Sequence, residues 1–142
     1  MSNLYKTDFH AWTQEQAKLL KTKHLSELDV NNLAEELESL ARKERQELRN
    51  RLAVLIGHLL KWQHQSEQQS NSQLVTIQEQ REQIQSLLTE NPSLKPYLAE
   101  AFTLSCSSAI NLAVQDTNLP FETFPSSNCY TLAEVISSDF LP

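Results

Sequence analysis

From Leu33 to Trp62 the chain sets Leu37, Leu40, Leu48, Leu52, Leu55 and Leu59 at spacings averaging about 3.6 residues, which winds them into one stripe along one helix. Asp29 stands just ahead of this run, where a carboxylate can accept backbone N–H groups of a first helical turn. The spacing predicts a single helix over 30–65, a rod of roughly 50 Å at about 1.5 Å per residue. Its middle, 42–51, keeps only Leu48 apolar and reads as a solvated segment or a bend between two packed halves. Glu38 with Arg42, and Glu47 with Arg51, stand four apart in the favourable order, each pair worth about 0.2–0.5 kcal/mol. The stretch 52–62 is apolar almost all round and is expected to be core. Gly57 inside it costs about 1 kcal/mol relative to alanine, so close approach of another helix backbone is the expected compensation.

The remaining periodicity is also helical. Asp8 or Thr7 can cap a helix carrying Phe9, Trp12, Gln16, Leu19 and Leu20. Polar residues 65–73 read as a connecting turn, followed by a helix with Leu74, Ile77, Arg81, Ile84 and Leu88 that ends before Asn91 and Pro92. A fourth helix starts at about Ser93 or Pro96 and runs to Leu112, with small residues at 105–109 that allow close packing. Pro120 and Pro125 make 117–125 a loop. Thr131 and Glu134 form a capping-box pair ahead of a short last helix with Leu132, Val135 and Ile136. The expectation is an all-α bundle of four principal helices plus a short C-terminal helix, with one long central helix, in a single domain over residues 1–142.

Composition narrows the function. Gly57 is the single glycine among 142 residues, so glycine-rich phosphate loops and dinucleotide fingerprints are absent, and tightly turned β folds are disfavoured. No cofactor is expected. Twelve basic side chains face eighteen acidic ones, for a net charge of −6, which argues against nucleic acid. No stretch approaches the roughly 18 apolar residues that cross a bilayer, and the first residues lack the apolar core of a signal peptide. A soluble cytoplasmic protein with no membrane partner is expected. Cys106 and Cys129 suit neither a zinc ribbon nor a disulfide framework, and Cys129 is expected to be the more exposed thiol.

Few residues invite chemistry. His58 and Trp62 are one turn apart at the edge of the stripe. His58 is either a ligand or base beside a water-excluding ring, or, more plainly, a half-buried histidine packed on tryptophan and hydrogen-bonded to a neighbouring helix. Glu36 stands beside Leu33, Leu37 and Leu40 on the same rod, with Asn32 one turn before it. Glu36 and His58 are weak candidates for a metal, since they are 22 positions apart, roughly 33 Å on a straight helix. They meet only if the helix breaks, or if two copies pack antiparallel about a centre near Glu47. His10 and His64 read as ordinary surface histidines. Ser105, Ser107 and Ser108 lack the strained glycine-flanked elbow of a hydrolase nucleophile, and Cys106 reads as buried and inert.

A set of short motifs follows in order: AspPheHisAlaTrp (8–12), LeuAspValAsnAsnLeuAlaGluGluLeuGluSerLeu (28–40), HisLeuLeuLysTrpGln (58–63), ThrIleGlnGluGlnArg (76–81), TyrLeu (97–98), and TyrThrLeuAlaGluVal (130–135) before PheLeuPro (140–142). In this register the chain resembles the bacterial domain-of-unknown-function family number twenty-nine, frequent in cyanobacteria, along nearly its whole length. The resemblance implies a small helical protein and assigns no activity. It retains Asn32, Glu36, His58 and Trp62, which makes these four the candidate functional cluster. It departs near Gln73, where the family carries a tryptophan, and at AsnCysTyr (128–130), where the family has Cys-Pro-Tyr.

The function expected from the residues is a non-enzymatic helical module that associates with itself as a homodimer. A rod of about 50 Å exceeds the span of a compact globule of this length, so its ends project or are covered by another copy. The alternative is a metal-assisted hydrolase or nuclease whose site is built from Glu36 and His58 around a divalent Lewis acid.

Overall fold

The computed structural model describes residues 3–125 and 130–142. It is all-α, with no strand among the described residues. The helices are α1 (Leu4–Thr7), α2 (Phe9–Lys21), α3 (Val30–His64), α4 (Asn71–Glu90), α5 (Leu98–Thr117) and α6 (Leu132–Ile136). Four principal helices, a long α3 and a short C-terminal helix match the sequence reading. The four-residue α1 was not anticipated, because one turn carries no periodic signal.

The caps explain most boundaries. Asp8 accepts the Ala11 N–H at 3.1 Å to start α2, and Ser70 accepts that of Gln73 at 3.3 Å to start α4. Thr131 and Glu134 close a reciprocal capping box on α6. α5 stops at Asn118, which takes a left-handed conformation (φ 59°), a position asparagine tolerates better than most side chains. The predicted loop begins one residue later than expected, at Asn118, since Thr117 still belongs to α5, and it holds one 3-10 turn, Phe121–Thr123.

The chain forms two compact units, Met1–Lys43 and Glu44–Pro142. In the second unit the core is built on the α3 stripe. Leu48, Leu52, Leu55, Ile56, Leu59 and Leu60 are fully buried against Ile77, Ile84 and Leu88 of α4 and Ala101, Phe102, Ala109 and Ala113 of α5. Each such leucine or isoleucine contributes about 1.5–3 kcal/mol relative to exposure, an upper figure given a compact unfolded state. Gly57 behaves as the sequence requires. A Cβ there would run into the Leu112 side chain and lie 3.3 Å from the Ala109 carbonyl of α5. Ser105 and Cys106 are buried on α5, each donating to the Phe102 carbonyl, so the small residues serve packing.

The first unit departs from the expectation of a packed half on either side of the charged stretch. Among its described residues only Trp12 and Gln16 are buried. On the first turns of α3, Val30, Leu37 and Leu40 stand in solvent, because too few apolar partners lie in this unit to cover them. Helical structure runs unbroken through the charged stretch 42–51. There the Glu47–Arg51 pair forms at 3.0 Å. Arg42 reaches Glu35 at 3.2 Å instead of Glu38, both side chains being so exposed that little energy selects between such partners.

Candidate functional site

Two of the four candidate residues lie in the first unit, where the structure surrounds them with a hydrogen-bond network. Asp29 immediately precedes α3, and its carbonyl accepts the Leu33 N–H at 2.9 Å. Its carboxylate Oδ2 takes the Asn32 side-chain amide at 2.8 Å and the Trp12 indole Nε1–H at 3.0 Å. Its backbone N–H in turn donates to Gln16 Oε1 at 2.9 Å. One aspartate therefore joins α2 to the start of α3. The Asn32 and Trp12 donors hold its carboxyl below the ordinary value, against a smaller opposing effect of burial.

One turn beyond Asn32, Glu36 Oε1 accepts the Tyr5 hydroxyl at 2.5 Å. That bond, reinforced by partial burial and nearby carboxylates, pushes the Tyr5 phenol above its usual 10.0. The Tyr5 ring meets Trp12 edge-on with centroids 4.8 Å apart, and Phe9 stacks on Trp12 at 5.5 Å. Beside this network lies a groove of about 460 Å³ whose lining includes Trp12, Glu15, Gln16, Glu27, Asp29 and Asn32. It is polar and acidic. Among the described residues no group of three or more His, Cys, Asp or Glu side chains is placed to hold a metal ion.

The other two candidates lie in the second unit. His58 is half-buried on α3, and its Nδ1 is buried without a hydrogen-bond partner. The plain reading of a histidine bonded to a neighbouring helix is therefore not met at that atom. Burial lowers its pKa from 6.5; Lys61 lowers it further and Asp116 opposes. Those two pair with each other at 3.3 Å. Trp62 packs partly buried against the core, and its carbonyl accepts the Gln69 amide at 2.9 Å. His64, expected at the surface, is partly buried and edge-on to Phe124 at 5.0 Å. His10 is exposed. Cys129 and Asn128 lie outside the described residues.

Sequence reasoning passed over three polar residues that the structure puts to use. Tyr5 had no signal. Gln16 and Arg81 had one, since both fall on apolar stripes of their helices. Arg81 donates through Nε to the Val135 carbonyl at 2.9 Å and through Nη2 to that of Phe140 at 2.8 Å. It thereby holds the last residues of the chain along α4. A cavity of about 570 Å³ opens beside it, with Leu74, Ile77, Ile136 and Leu141 in its lining.

Fold and network together define a small all-helical protein whose best-connected polar residues tie helices to one another. Residues 4–141 match the family described as Domain of unknown function DUF29, and the chain belongs to that family. No curated protein and no solved structure matches it. Among the described residues no helix is long and apolar enough to cross a membrane. The motifs at 8–12 and 28–40 now have a physical account, because Trp12 and Asn32 both donate to Asp29 and Glu36 is held by Tyr5.

Proposed function

We propose that the chain is a non-enzymatic helical module that works by association, pairing with a second copy of itself. One observation carries this reading: the apolar row that α3 leaves in water. Val30, Leu37 and Leu40 are 63%, 67% and 57% exposed. With Leu33 they follow the 3-4-3 spacing of a seam between paired helices. Single exposed leucines are ordinary on a protein surface; a row in register along one helix marks an interaction face.

Size adds support. The unit Met1–Lys43 is close to the length of about 40 residues below which a lone core is usually insufficient and oligomerisation often makes up the deficit. A two-fold pair is the commonest closed assembly, and the net charge of −6 favours a protein partner over nucleic acid. The metal-assisted hydrolase or nuclease reading has no comparable observation on its side. Glu36 already accepts from Tyr5, and Glu36 and His58 belong to different units.

Light scattering on the wild type and a Leu37→Glu/Leu40→Glu variant tests the proposal. The expected result is a wild-type dimer and a folded monomeric variant. A variant that dimerises as the wild type does excludes this face.

A further inference from the structure

Resting on that reading, the geometry points to an antiparallel pair centred between Leu37 and Leu40, in which Glu36 of each copy faces Lys43 of the other. Charge is distributed unevenly along the exposed row. Its N-terminal side carries Glu35, Glu36 and Glu38, and its C-terminal side carries Arg42, Lys43 and Arg45 against one carboxylate, Glu44, which leaves that side net basic. Two copies laid parallel bring like charge to like. Laid antiparallel, they bring the acidic half of each against the basic half of the other.

The heptad positions sharpen this. With Val30 and Leu37 at a and Leu33 and Leu40 at d, Glu36 and Lys43 both fall at g, and Ala34 and Ala41 fall at e. In an antiparallel pair, flanking positions of the same letter face one another. Setting Leu37 against the partner's Leu40 therefore places Glu36 against the partner's Lys43, twice by symmetry, with the two small alanines meeting on the other side. A parallel pair would set Glu36 against an alanine. Lys43 is exposed and makes no ion pair among the described residues, so its ammonium is free for this role. Glu36 gives Oε1 to Tyr5 and keeps Oε2.

The seam cannot slide far toward the C-terminus. A pair centred near Glu47, which bringing Glu36 to the partner's His58 requires, would need Leu48 and Leu52 at the surface, and both are fully buried in their own unit.

Charge exchange tests orientation separately from association. Glu36→Lys alone sets lysine against lysine across the seam, and Lys43→Glu alone sets glutamate against glutamate. One protomer of each kind restores both pairs. Native mass spectrometry and sedimentation on the two variants, singly and mixed, read the outcome, with circular dichroism confirming that each is folded. The expected result is that each variant self-associates about tenfold more weakly than the wild type and that the mixture forms mainly heterodimer. Dimers that mix statistically, or variants that pair as tightly as the wild type, overturn the antiparallel arrangement while leaving self-association standing. A wild type that is monomeric throughout overturns both.

Discussion

The Tyr5 hydroxyl donates to Glu36 Oε1 at 2.5 Å, joining a one-turn helix to a carboxylate 31 positions further on. The bond favours the neutral phenol, so Tyr5 is expected to ionise above 10.0. Its contribution to stability is complete below that value and is lost as the pH rises through the higher folded-state pKa. Difference absorbance titration of the wild type against Tyr5→Phe isolates this phenol among the three tyrosines. In Glu36→Gln its midpoint is expected to fall back toward 10. An unchanged midpoint removes the bond from the account.

His58 sets up the opposite dependence. Burial holds it neutral, with a folded pKa below 6.5, so the unfolded chain takes up the proton first on acidification. Stability should be full above pH 6.5 and decline as the pH falls from there through the folded value. Urea titrations between pH 7.5 and about 5 should show this slope in the wild type and a shallower one in His58→Gln. Equal slopes would place the acid sensitivity elsewhere.

Gln73 leaves its side-chain carbonyl buried and without a partner. An orphaned buried acceptor costs about 1–3 kcal/mol. Gln73→Leu is therefore expected to stabilise the protein by about 1 kcal/mol, read as a raised urea midpoint at unchanged slope. A destabilised variant would mean that the amide has a partner in solution.

Gly57→Ala sets two effects against each other. Alanine gains about 1 kcal/mol of helix propensity, but its Cβ runs into Leu112 and presses on the Ala109 carbonyl, an overpacking cost of about 1–3 kcal/mol. A net loss of about 1 kcal/mol is expected in chemical denaturation. A gain would show that α5 yields easily.

Legibility from sequence followed the strength of each physical signal. α3 was readable to within a residue of its end, since thirty-five helical residues repeat their apolar spacing many times. Its sidedness was not. A stripe shows which face is apolar, whereas exposure of Leu37 and Leu40 depends on how much else the first unit has to lay over them. Gly57 was legible because a costly residue in a core helix needs a compensating contact. The Trp12–Asp29–Asn32 network was not, although its members stood inside recognisable motifs, because spacing along a chain does not say which distant groups will bond. Tyr5 lay on a helix too short to announce itself. Asn32 and Glu36 were singled out as candidate functional residues, from their place beside the stripe and from the resemblance, but neither signal names Asp29 or Tyr5 as their partners.

Sedimentation equilibrium of the wild-type chain tests the central claim most directly. The account expects a mass of twice 16.3 kDa at micromolar concentration, falling toward the single-chain value when Leu37 and Leu40 are both replaced by glutamate. A wild-type mass of 16.3 kDa at every concentration up to about 100 μM would contradict it.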